Sequence, residues 1–256
     1  MDKFLEFISN EEKVFLENQS KLQNEYALFV ILDDIYQKPI QNIDSILDKD
    51  KNLIQHNLAI LLLYNLAHLN LYLSISCFLR AHFSEALFHC RKGIDTGLSA
   101  YKIILEPNLA SAYLNAESQE YKKIFKRIKQ HFKEEMNNNS NKYSLANGLI
   151  DVYEKCNPYS HADIRTLDLI LGQISTFGNF YNFQLSENDE KYKQYKQYFV
   201  VVIAGFLKIF HIFKLFFDEK FKVKDTSLEN SIENLSLKLD KELRNIQSLP
   251  LKKDAG

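Results

Sequence analysis

Apolar residues recur at steps of three and four along most of this chain, a period that predicts helices rather than strands. Ser9 and Glu12 form an S-x-x-E capping box before one such run. It predicts a first helix over about residues 10–37, with Val14, Phe15, Leu22, Tyr26, Phe29 and Leu32 on its inner side. Pro39 should stop it, because the residue before proline is pushed out of helical geometry. A short helix over 41–47 and a polar turn over 48–52 follow. Residues 52–79 contain no Lys, Arg, Asp or Glu, and no Pro or Gly appears before Gly93. One helix of that length would be unusual, so a turn or kink is expected near 68–70. Gly93, Gly97 and Ala100 give the next helix a narrow side for close helix packing, and Pro107 stops it.

After one turn of helix within 108–115, an amphipathic helix is expected over 117–136, with Tyr121, Ile124, Phe125, Ile128 and Phe132 inside and a lysine-rich face outside. Residues 137–142 read as a loop and 143–156 as helix. Ser160 caps a further helix through about 174, and an aromatic, turn-rich stretch near 175–188 reads as a loop or short hairpin. Long helices follow over 190–221 and, behind a second capping box at Thr226 and Glu229, to about 248. The last carries Leu228, Ile232, Leu235, Leu239, Leu243 and Ile246 at helical spacing. The expected fold is an all-α, irregular bundle of about seven helices. It should form a single domain over 1–249 with a disordered tail at 250–256.

Composition narrows the class. Seven glycines and four prolines are too few for a many-stranded sandwich. A net charge of -1 gives no overall attraction to nucleic acid or acidic lipid. The basic face of 117–136 is diluted by Glu117, Glu120, Glu134 and Glu135, so it is no strong nucleic-acid signal. Three cysteines in no metal-type spacing, with no secretory signal at the N-terminus, point to the cytoplasm. Residues 52–79 and 198–217 are long enough to cross a bilayer, yet polar residues interrupt both, so no span is expected.

Reactive side chains are densest over 69–107, which holds Arg80, His82, Glu85, His89, Cys90, Arg91 and Asp95. His82, Glu85 and His89 stand at i, i+3 and i+7, within about 60° of one another on a continuous helix. Imidazole and carboxylate on one stripe are candidate ligands for a divalent transition metal, or an acid–base pair. Arg80 follows a very apolar run and should be partly buried against a carboxylate, from Glu85, Glu106, Asp151 or Asp163, or against an anionic ligand. His161 and Asp163, opening a later helix, are the candidate additional contributors to either site. No phosphate-binding glycine loop, nucleophile elbow or kinase signature is present.

The segments LRAHFSEA and YSHAD together resemble bacterial all-helical domains of unknown function, in which an Arg and a Glu on one helix precede a later helix opening with Ser and His. Some of these are loosely similar to the HEPN superfamily, which implies a helical scaffold and a place in a defence or toxin system. HEPN ribonucleases carry Arg, four to six residues, then His; here eight residues separate Arg80 from His89 and three separate Arg127 from His131. The expected function is that of a cytoplasmic helical interaction or regulatory protein, with a protein partner or self-association through the two C-terminal helices. The alternative is an enzyme or ligand-binding protein with a polar or metal site between the central helix and the one starting near 161.

Overall fold

The computed structural model describes residues 3–41, 54–138, 143–157, 190–221 and 226–248. They are helical with no strand, an all-α arrangement of α1 (Lys3–Lys21), α2 (Gln23–Ile40), α3 (Ile54–Leu79), α4 (Phe83–Leu105), α5 (Ala110–Leu114), α6 (Gln119–Lys123), α7 (Ile128–Asn138), α8 (Ser144–Cys156), α9 (Glu190–Phe221) and α10 (Thr226–Ser248). Apart from Gln41, which closes α2, the expected elements at 41–52, 158–188 and 250–256, with His161 and Asp163, lie outside the described residues.

Helix α9 is the axis of the core. Phe199, Phe206, Phe210, Phe213 and Phe216 are fully buried along it. It packs on α2, α3, α4, α8 and α10, as a helix apolar around most of its circumference must. The close approach to α4 runs over glycine. A Cβ at Gly93 would stand 2.5 Å from the Phe206 ring, and one at Gly97 would stand 3.1 Å from Ile209. The α10 stripe (Leu228, Ile232, Leu235, Leu239 and Ile246) is buried, with α10 lying on α2 and α9. The face on which self-association through the C-terminal helices was expected is therefore turned inward.

Three expected boundaries are corrected. The first helix begins at Lys3, so Ser9 and Glu12 lie inside it, and it divides at Leu22, whose φ of −106° and ψ of 28° leave helical geometry. Buried Asn18, just before the division, donates to the carbonyl of Leu79 at 3.0 Å. Pro39 is accommodated in the last turn of α2.

No kink occurs at 68–70; α3 runs unbroken to Leu79. It ends at Ala81, whose φ of 62° is left-handed. Ala81 N–H donates to Phe78 O at 3.0 Å and His82 N–H to Cys77 O at 2.8 Å. These two bonds make a Schellman ending with alanine where glycine usually sits.

The amphipathic run over 117–136 is also broken. Helix α6 stops at Lys123, a 3₁₀ turn covers Phe125–Arg127, and α7 begins at Ile128. Ser118 caps α6, accepting from Tyr121 N–H.

Candidate ligand-binding cleft

The turn at Ala81 folds α4 back along α3, and Ser74 Oγ donates to the carbonyl of Ala86 at 2.7 Å across the hairpin. On the outer side of α4 the segment 107–130 stands away from the helix. The gap between them is a cleft of about 580 Å³, within the range of small-molecule sites. Its α4 wall carries Phe88, His89, Lys92, Asp95 and Thr96. The facing wall carries Tyr113, Tyr121, Phe125, Lys126, Arg127 and Lys129, with Tyr153 of α8 also lining it.

Phe125 is buried while Lys126 and Arg127 beside it are exposed, and consecutive residues from Phe125 to Gln130 all border the cleft.

Lys126 and Arg127 are exposed and make no ion pair among the described residues. Lys92 Nζ sits 5.5 Å over the Phe88 ring. Lys129 Nζ sits 4.2 Å over the Tyr153 ring and 3.2 Å from Glu154 Oε1. The Arg91 guanidinium lies 4.6 Å over the Tyr153 ring, and its Nη2 donates to the Tyr153 hydroxyl at 2.6 Å. Lys92 and Arg91 are thus held over ring faces, whereas Lys129 is also paired with Glu154.

Among the described residues Asp95 is the one carboxylate on the cleft wall. Burial pushes its carboxyl up, opposed by the charges of Lys92, Arg91 and Lys129. Burial lowers the imidazole of His89, with Glu85 opposing, which favours its neutral form. Its Nδ1 lies 3.3 Å from Asn70 Oδ1. Burial and the neighbouring Tyr121 push the Tyr113 hydroxyl up to about 12, which keeps it a hydrogen-bond donor at neutral pH.

The other sequence candidates do not converge. His82 is the residue before α4 rather than a member of it, so the stripe with Glu85 and His89 is not formed. His82 Nε2 lies 3.1 Å from Glu11 Oε2, and Glu85 is exposed. Among the described residues no group of three or more His, Cys, Asp or Glu side chains is placed to hold a metal.

Arg80 is half-buried as expected, but no carboxylate meets it among the described residues. Its guanidinium lies 5.1 Å over the Phe15 ring and donates to Ser76 Oγ. The aromatic face and hydroxyl take the place of the anion, because Arg80 sits in the half-buried turn between α3 and α4 rather than in the core. Glu106 is engaged by Lys102 at 2.7 Å, and Asp151 is exposed. Of the four sequence candidates among the described residues, Arg80, His82, Glu85 and His89, His89 alone lines the cleft.

Comparison of the chain with protein-family models, curated proteins and solved structures finds no match.

Proposed function

We propose that this chain is a cytoplasmic helical regulatory protein that senses a nucleoside phosphate in the α4 cleft. The observation that carries this reading is the meeting of Lys126 and Arg127, which have no ion pair among the described residues, with the rings of Phe88, Tyr113, Tyr121, Phe125 and Tyr153 in one cleft. Guanidinium and ammonium groups recognise phosphate oxygens, arginine as a planar fork and lysine as a point charge. Aromatic walls accept a flat base by stacking. Asp95, at the edge of the ring cluster, is an acceptor for a base N–H. A regulatory role follows from the position: the ligand would bridge α4 and the 107–130 segment, which are otherwise apart at this place, and favour whichever separation binds it better.

Isothermal titration of the full chain with AMP, ADP, ATP and inorganic phosphate tests this. A nucleoside phosphate should bind at least tenfold more tightly than inorganic phosphate, and Arg127→Ala should weaken it by about tenfold, the loss of roughly 1.4 kcal/mol. No heat from any nucleotide at millimolar concentration would reject the reading.

A catalytic reading has one observation in its favour: His89 and half-buried Asp95 share the cleft wall. Turnover of a bound nucleotide that His89→Ala abolishes, with binding retained, would establish it.

A further inference from the structure

Helix α3 lacks Lys, Arg, Asp and Glu from end to end, yet the described residues leave one of its sides uncovered. Leu58, Leu62, Leu66, Leu69, Tyr72 and Leu73 are between 37% and 51% exposed. At about 100° per residue they fall within an arc of about 120°, in which Asn65 is the only other residue between Leu58 and Leu73, with Gln55 and Ser76 at the two ends. The exposed Phe4, Leu5 and Leu16 of α1 differ, because Lys3, Glu6, Glu12, Lys13 and Glu17 are interspersed with them. With Val30 and Phe88, also exposed, the α3 ridge presents roughly 700 Å², close to the ~800 Å² that each partner contributes to a standard interface. Single monomers rarely leave so large an apolar patch open without a use.

Beside residues 66–72 the two flanks of the ridge differ in sign, while the exposed Glu85 of α4 stands nearer the Ala81 turn. On one side lies α2, where Tyr72 donates to Asp33 Oδ1 at 2.6 Å and Asp34 is exposed. On the other lies α4, where His89 meets Asn70 and Lys92 is exposed. Neither Asp34 nor Lys92 makes an ion pair among the described residues. Both stand at the same height along α3, beside residues 66–72.

We infer that a second copy of this chain seats on the α3 ridge, with the two α3 helices parallel about a two-fold axis running along them. Such an axis lays leucine against leucine at equal heights. It also turns the α2 flank of each copy onto the α4 flank of the other, so that Asp34 meets the partner's Lys92. An antiparallel pair would instead set acidic flank against acidic flank, which like charges disfavour. A lipid surface fits less well, since anionic membranes recruit amphipathic helices through basic residues beside the apolar face. Here one flank is acidic, and α3 itself carries no Lys or Arg.

Light scattering on the full chain at tens of micromolar should give twice the 30.0 kDa chain mass. Leu62→Asp with Leu69→Asp should give the single-chain mass with an unchanged circular dichroism spectrum, because both side chains are exposed. Asp34→Lys should weaken the pair at least tenfold, and adding Lys92→Asp should restore it. A wild-type monomer, a dimer that survives the leucine pair, or flotation of a monomer with phosphatidylglycerol vesicles would each overturn the inference. An Asp34→Lys protein that pairs as tightly as wild type would overturn the parallel arrangement.

Discussion

Lys102 is the most deeply buried cation among the described residues, and its removal is the sharpest test of the forces assigned to the fold. Its side chain is 3% exposed, with Nζ 2.7 Å from Glu106 Oε1 and 2.8 Å from Glu135 Oε1. His131 Nε2 lies 3.3 Å from that same Glu135 oxygen. The cation thus joins the end of α4 to α7. Removing one partner of a buried pair costs about 3–5 kcal/mol because the remaining charge is left without compensation. Here the carboxylates are less buried than the cation, Glu106 being 40% and Glu135 25% exposed, so water recovers part of that loss. Lys102→Met should therefore cost about 2–3 kcal/mol. Glu135→Gln on the Lys102→Met background should recover part of it by removing the stranded charge.

The pH dependence of this cluster has a definite sign. Burial alone would lower the Lys102 ammonium, but the hydrogen bonds and charges of Glu106 and Glu135 outweigh it and raise the pKa above its ordinary 10.5. Burial alone would raise Glu135, but the hydrogen bond and charge of Lys102 outweigh it and lower the pKa below 4.5. A raised lysine contributes stability that is complete below 10.5 and lost as pH rises through its folded value. A lowered carboxyl contributes stability that is complete above 4.5 and lost as pH falls through its folded value. Urea denaturation of wild type and Lys102→Met should therefore differ most between those limits and converge outside them, with an unchanged dependence on urea. A loss under 1 kcal/mol at pH 7, or a gap between the two proteins that ignores pH, would refute the account.

Two smaller changes follow from local geometry. Asp95→Asn should stabilise the protein at pH 7: burial raises the folded carboxyl, a raised carboxyl loses stability as pH rises through its folded value, and the amide escapes that loss. The gain should vanish in denaturation measured below pH 3.8, the ordinary value for Asp. Ala81→Gly should raise stability by about 0.5–1 kcal/mol, since the left-handed cost to alanine exceeds the extra entropy glycine loses on folding, and thermal denaturation would show it.

Legibility differed from element to element for physical reasons. The bounds of α9 and α10 were readable because a capping box and a long apolar run mark them, and the close approach at Gly93 and Gly97 was readable because small residues there serve only packing. The end of α3 was not, because the chain takes its left-handed turn at an alanine, and nothing in the composition distinguishes Ala81 from a helical alanine. The metal stripe failed for the same cause: once His82 falls outside α4, the shared face it needed does not exist. Lys102 was hidden in a helix whose polar side also carries lysines and acids. The cleft was hidden because a 3₁₀ turn interrupts the helix expected over 117–136, and because Tyr113 and Tyr153 join it from other helices.

The turn at Ala81 sets the geometry of both proposed surfaces. It directs α4 back along α3 in a hairpin held by the Ser74–Ala86 bond. Among the described residues, that hairpin leaves one arc of α3 uncovered between α2 and α4, which is the ridge, and presents Phe88 to Thr96 on the outer side of α4, which is a wall of the cleft. Leu66, Asn70, Phe88 and Lys92 border the cleft, and Leu66, Phe88 and Lys92 also lie on the ridge or its flank. A second copy seated on α3 therefore stands at the mouth of the cleft, and a ligand that shifts Lys92 would alter the contact with the partner's Asp34. Ligand affinity and self-association are then coupled, and reciprocally so: a nucleoside phosphate that loosens the pair must bind more tightly to the Leu62→Asp, Leu69→Asp monomer than to the dimer, and one that tightens it must bind more weakly.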